Sequence, residues 1–140
     1  MKLSNNFYLK EFVKSYTADR LQIDNTPTLD VIENLERLCL NVLQPIRDHF
    51  GVSVKVNSGF RCKDLNKKVR GKITSQHIKG EAADIEIEGI SNASLYDWIK
   101  NNLDFDQLIL EYYNRDIPDS GWVHVSYKKG KNRKQALLIK

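Results

Sequence analysis

The segment Ser75-Gln76-His77-Ile78-Lys79-Gly80-Glu81-Ala82-Ala83-Asp84-Ile85-Glu86-Ile87-Glu88 decides how this chain is read. Its second half alternates: Ala83, Ile85 and Ile87 are apolar, while Asp84, Glu86 and Glu88 are acidic. A period of two marks a strand with one buried face, so the acids look away from a core. Two later segments repeat the pattern. Trp122 to Tyr127 sets Val123, Val125 and Tyr127 against Trp122, His124 and Ser126. Phe105 to Tyr112 groups Phe105, Gln107, Ile109 and Glu111 on one side. Three strands therefore present polar and ionisable side chains from one expected side of a sheet, which makes that side a candidate cleft.

Working outward, Val52, Val54 and Val56 alternate with polar residues and predict a further strand. Asn25-Thr26-Pro27-Thr28 is a helix-start signal, with a hydroxyl cap and a proline near the first turn. Val31, Leu35, Leu38, Val42 and Ile46 then recur every three to four residues and predict one amphipathic helix. Gly51 is its expected C-cap. Ser91 to Asn102 reads as a second helix, Lys63 to Val69 as one or two helical turns, and Asn6 to Arg20 as a short element that packs Phe7, Phe12 and Tyr16 onto the body. Ala136 to Ile139 suggests a packed final strand. The expected fold is a single α+β domain over residues 1–140, with a central, mostly antiparallel sheet, helices on one face and the candidate site on the opposite face. A chain of 140 residues supports one such core and not two.

Composition narrows the class. Hydrophobic residues make up 41% and charged residues 29%, which excludes disorder and membrane residence, and no run reaches the length of a membrane span. The net charge of +4 is uneven: Lys128 to Lys140 holds six basic residues and no acid, so the preceding body is mildly acidic. A second basic stretch, Lys55 to Lys79, has eight basic residues against the single acid Asp64. The lysines lack the interleaved aromatics of a nucleic-acid surface, and no nucleic-acid partner is expected. Anionic cell-wall polymers are the better-motivated partner. Cys39 falls in the helical pattern and is expected as a buried free thiol; Cys62, in a turn-like segment, could be exposed. The polar N-terminus lacks a signal peptide's apolar core, so synthesis in the cytoplasm is expected.

His77 lies seven residues before Asp84, and His124 stands on the polar face of a later strand. Two imidazoles and one carboxylate can bind a single Zn2+ and leave a position for water, whose pKa the ion lowers toward about 7. The same three residues also serve as structural or surface groups in many proteins, and no HExxH is present to decide. His49, near a helix end, reads as a capping cation or a surface group.

Ser75-x-His77-x-x-Gly80-x-Ala82-x-Asp84 followed by Trp122-Val123-His124-Val125 resembles the D-alanyl-D-alanine carboxypeptidase-like zinc metallopeptidases. These share a metal site with lysostaphin-type and hedgehog domains. Ser58-Gly59-Phe60-Arg61 and Phe105-Asp106-Gln107-Leu108-Ile109-x-Glu111 match further family segments, and the likeness is nearest to the compact phage and prophage form. The resemblance implies His77, Asp84 and His124 as zinc ligands. It implies Arg61 as the group that holds a substrate carbonyl or carboxylate, a task suited to a planar two-donor fork. Gln107, Trp122 and Ser75 are further candidates for contact with substrate, Ser75 and Gln76 being better suited to orienting the ligand loop.

The sequence departs from the family at one place. Many relatives carry Asp three residues before the last histidine and another histidine two before it, where this chain has Gly121 and Trp122. Glu111 is then the expected general base and Asp119 the alternative; Trp122 is expected to wall the cleft. The implied function is zinc-dependent hydrolysis of peptidoglycan stem peptides by a monomer, of carboxypeptidase or endopeptidase type. It would act on the cell wall after release or within a phage particle. The rivals are a non-catalytic zinc-containing module of such a particle and, more remotely, a nucleic-acid-binding protein.

Overall fold

The computed structural model describes every residue from Met1 to Lys140. Strands β1 (Lys2–Ser4) and β2 (Phe7–Tyr8) form a small antiparallel pair. Two short helices follow, α1 (Leu9–Val13) and α2 (Tyr16–Arg20). Helix α3 (Leu29–Leu38) begins where the sequence indicates, with the Thr28 hydroxyl accepting the Val31 N–H. Its stripe of Val31, Leu35 and Leu38 is buried. A π turn, Cys39–Leu43, joins α3 to α4 (Gln44–Phe50). The single helix read from the sequence thus carries an irregularity, and Pro45 accounts for it. Proline has no N–H to continue the four-residue ladder, and the wider turn lets the Gln44 N–H reach back five residues to the Cys39 carbonyl. Gly51 caps α4 at φ 69°, as expected.

The remaining elements are β3 (Val54–Ser58), α5 (Lys63–Lys68), a 3-10 turn (Gln76–Lys79), β4 (Ala82–Ile87), α6 (Asn92–Asn102), β5 (Gln107–Glu111), β6 (Trp122–Ser126) and β7 (Gln135–Ile139). Five strands make one sheet in the order β3-β4-β6-β5-β7. Three of the four pairings are antiparallel; β5 and β7 run parallel. The core sits on one face, where Ala83, Ile85, Leu108, Val123 and Val125 are fully buried with Leu35, Leu38, Leu43, Ile46, Leu95 and Ile99 of the helices. Cys39 joins this core, and burial pushes its thiol pKa upward, so it stays protonated and unreactive. Cys62 is half-buried, its sulfur capping α5.

The register fixes the other face. Asp84 lies opposite His124, and His124 opposite Ile109. Directly opposed residues of an antiparallel pair share a face, so β4, β6 and β5 present these side chains together, away from Ala83 and Val125.

Four expectations need correction. Tyr16 does not pack onto the body with Phe7 and Phe12: it is 85% exposed, because it opens α2 on the solvent side, beside the Lys14 ammonium. Phe105 is fully buried in the core and not on the cleft face: it precedes Gln107, the first paired residue of β5, so the alternation does not extend back to it. Val52 is exposed and lies ahead of β3. The final strand is paired to β5, yet Leu138 is 64% exposed, because β7 is an edge with no layer over it. No helix is long and apolar enough to cross a membrane.

Candidate metal centre

His77 reaches the sheet from the 3-10 turn. The Ser75 hydroxyl starts that turn by accepting the His77 N–H at 3.2 Å, and Gly80 ends it at φ +73°. A Cβ on Gly80 would stand 2.7 Å from the Val31 carbonyl oxygen, so only glycine lets the turn lie this close to α3. Asp84 and His124 come from β4 and β6. The Asp84 Oδ1 is 3.3 Å from His77 Nε2 and 3.0 Å from His124 Nδ1, and one ligand atom from each of the three falls within 4.8 Å of the others. His77 and His124 are 3% and 9% exposed.

The hydrogen bonds around His77 determine which nitrogen is offered. His77 Nδ1 lies 2.6 Å from the Gly59 carbonyl oxygen. A carbonyl can only accept, so Nδ1 carries the hydrogen and Nε2 is left to face Asp84. In a neutral imidazole that nitrogen bears a lone pair, and it would repel the carboxylate beside it. A cation shared by Nε2, the carboxylate and His124 Nδ1 removes the conflict. The donor set of two nitrogens and one oxygen fits zinc, and the Gly59 contact is the outer partner that metal-bound histidines commonly have. Burial pushes the Asp84 carboxyl upward, but positive charge at the imidazole nitrogens beside it, from a proton or from a shared cation, would outweigh burial, and the group is held well below the usual range.

Glu111 ends β5 directly opposite Trp122 and is half-buried. Burial raises its pKa first and the Asp84 charge raises it further, against weaker opposition from His124, Trp122 and His77. The Trp122 indole N–H is turned toward Glu111 without closing a well-formed hydrogen bond, and its ring lies 5.3 Å from that of Tyr112. Arg61 is partly buried and held by a long 3.4 Å bond to the Ser75 hydroxyl, with Nε unpartnered. Burial lowers its pKa, while Asp84 and Glu111 act to raise it, so the guanidinium stands within the field of both acids. Gln107 is on the His124 face, where its amide donates to Gln135 of β7. Asp119 is exposed in the loop before β6 and makes no hydrogen bond or ion pair. His49 stacks on Trp98 at 4.3 Å, on the exposed end of α4.

Gly121 explains the departure beside His124. It has φ +70°, and a Cβ there would lie 2.1 Å from the Glu111 carbonyl oxygen. No side chain, acidic or otherwise, fits that backbone. The structure also shows supports that sequence reasoning missed. Asn25 donates to the Val13 and Phe60 carbonyls and accepts the Cys62 N–H, which pins the loop carrying Gly59 and Arg61. Asp106, 1% exposed, accepts two side-chain bonds and the backbone N–H of Arg133 and one bond from Gln76, the neighbour of His77. In the sequence Asn25 reads only as part of a helix-start signal, Asp106 only as one position of an alternating segment, and Arg133 as one cation in a basic tail.

A mixed α+β sheet with two imidazoles and a carboxylate converging beside an arginine and a half-buried glutamate defines a domain built around a candidate cation-binding centre. The family model of Peptidase M15 matches residues 5–126, a span that includes all of these groups, and the chain belongs to that family of peptidases. A search of curated proteins finds no match.

Proposed function

We propose that this chain is a zinc peptidase that hydrolyses peptide bonds in peptidoglycan stem peptides. The observation that supports it most is the convergence of His77, Asp84 and His124 within 4.8 Å in a chain of the Peptidase M15 family. These three residues would hold the ion. Zinc, when bound, supplies Lewis-acid activation of water and of the peptide carbonyl.

The remaining work falls to the protein's own groups. Glu111 takes the proton from the attacking water and returns it to the leaving amine. Burial raises its pKa, which strengthens the carboxylate as the base that takes the proton. Arg61 holds the substrate's carbonyl or carboxylate oxygen through the planar fork of its guanidinium. Trp122 walls the cleft next to Glu111 and keeps water from solvating the base. Ser75 positions both Arg61 and His77 through a single hydroxyl. The substrate class places the site of action at the cell wall, reached after release or in a phage particle.

The test is incubation of zinc-loaded protein with purified peptidoglycan, with and without chelator, followed by mass spectrometry of the products. New amino groups that disappear with chelator support the reading, and the product masses identify the bond and separate carboxypeptidase from endopeptidase cutting. Products unchanged from the substrate would overturn it and leave a non-catalytic binding module.

A further inference from the structure

Arg61 belongs to two surfaces. One side of it lies in the field of Asp84 and Glu111; the other lines a cavity of about 510 Å³ at the margin of the sheet. Residues Lys55 to Ser58 of β3 line it together with Lys14 and Tyr16 from the junction of α1 and α2. The volume matches a few amino-acid residues rather than a single small ion.

Two properties of the cavity define its occupant. The first is backbone. β3 is the terminal strand of the sheet, and no other segment hydrogen-bonds to its outer edge over residues 54–58. An unpaired edge at the wall of a cleft is a template for an extended peptide, which gains main-chain bonds by lying along it. The second is charge. Lys14 and Lys55 are exposed and form no ion pair, and with Arg61 they give the cavity three cations. Its only acid, Glu11, is already engaged as the acceptor of the Tyr8 N–H. Lys55 stands opposite Glu86 and therefore on the same sheet face as Asp84, one step further from the centre. Glu86 forms no ion pair with it; its carboxylate oxygens instead accept from the Asn57 and Asn92 amides.

We propose that this cavity is a specificity subsite for an extended, carboxylate-bearing peptide segment, which lies along the free edge of β3 with its acidic group between Lys14 and Lys55 and its reacting end directed past Arg61. The inference rests on the peptidase reading for the identity of the reacting end. The strand direction also leads there: Ser58 lies opposite Asp84, and the next residue, Gly59, holds His77 through its carbonyl.

The probe is a pair of dye-labelled stem-type pentapeptides, identical except that the free α-carboxylate of the second residue is a carboxamide in one. Binding is followed by fluorescence anisotropy on the zinc-loaded Glu111→Gln protein, which keeps the cleft while removing the base. The carboxylate peptide should bind about five- to tenfold tighter at low salt, and added salt should erode the difference. The further change Lys14→Glu with Lys55→Glu should abolish the preference at unchanged zinc content. In the 15N–1H spectrum of the same protein, the peptide should shift the amides of residues 55–58. Equal binding of the two peptides, a preference that survives charge reversal, or shifts that avoid β3 would each overturn the subsite. Turnover of the same peptides by the unaltered protein is scored separately. Cleavage without preference sinks the subsite alone, and preference without cleavage sustains the subsite while sinking the peptidase reading.

Discussion

At the scale of single residues, the candidate centre depends on where hydrogens sit. The Gly59 carbonyl commits His77 Nδ1 to donating, so Nε2 is free for an ion, while His124 offers Nδ1. Replacing His124 by Ala should therefore abolish zinc retention after dialysis, and near-stoichiometric zinc measured by atomic absorption in that variant would contradict the ligand set. Glu111→Gln separates binding from turnover: zinc should stay bound while activity falls by about 10² or more. Its pH behaviour has a definite sign in the metal-free protein. The folded pKa of Glu111 is raised by burial and by Asp84, so the ionised form costs stability. That cost is absent below the ordinary glutamate pKa and grows as pH rises through the folded value. Metal-free Glu111→Gln should thus melt higher than the unaltered protein at pH 7 and no higher at pH 3.5. The convergence of the three candidate ligands was legible because two stand on alternating strands, and the position of Glu111 was legible through its place on β5. The tautomer of His77 was not, because it depends on a contact between positions 18 apart in sequence.

At the scale of elements, alternation was a sound guide wherever a strand is paired and an unsafe one beyond its ends. β4 and β6 are read correctly through Asp84 and His124, whereas Phe105, two residues ahead of β5, turns into the core. Helical periodicity found the whole Leu29–Phe50 segment but not its π turn, because the apolar stripe of Val42 and Ile46 survives the extra residue. The 3-10 turn is where an element most directly shapes the centre. Gly80 combines a left-handed backbone with a site where an added Cβ would stand 2.7 Å from the Val31 carbonyl oxygen, so an alanine must both strain the turn and lift it from α3. Gly80→Ala should cost at least about 2 kcal/mol of stability, from the left-handed penalty and the clash together. It should also weaken zinc binding, because His77 moves with the turn. A thermal melt and a competitive zinc titration check the two effects, and a variant matching the parent in both would show that the turn adapts freely.

At the scale of the whole molecule, the question is what the last fourteen residues do, since the family match stops at Ser126. Their charge reads as a basic tail, and Ala136 to Ile139 as a final strand. In the fold they close the sheet with β7 and place Arg133 against the buried Asp106, whose remaining bond runs to Gln76 in the turn that carries His77. A segment outside the matched region thus braces the candidate centre from the far side. Such long-range pairing leaves no periodic trace, which is why the charge count alone gave no hint of it. Arg133→Ala would leave Asp106 buried with fewer donors, at a cost of about 1–3 kcal/mol at neutral pH. The hydrogen bond from Arg133 is the main cause of the lowered Asp106 pKa, opposed by burial. A carboxyl with a lowered folded pKa stabilises the protein above its ordinary value of about 3.9, and that contribution is lost as pH falls through the folded value. The unaltered protein should therefore melt clearly above Arg133→Ala at pH 7, with the gap narrowing once pH falls below the ordinary aspartate value and closing as it passes the lowered folded one. Zinc affinity should fall alongside at pH 7, through the loss of support for Gln76. Equal melting temperatures at pH 7 would show that Arg133 does not anchor this segment to the body.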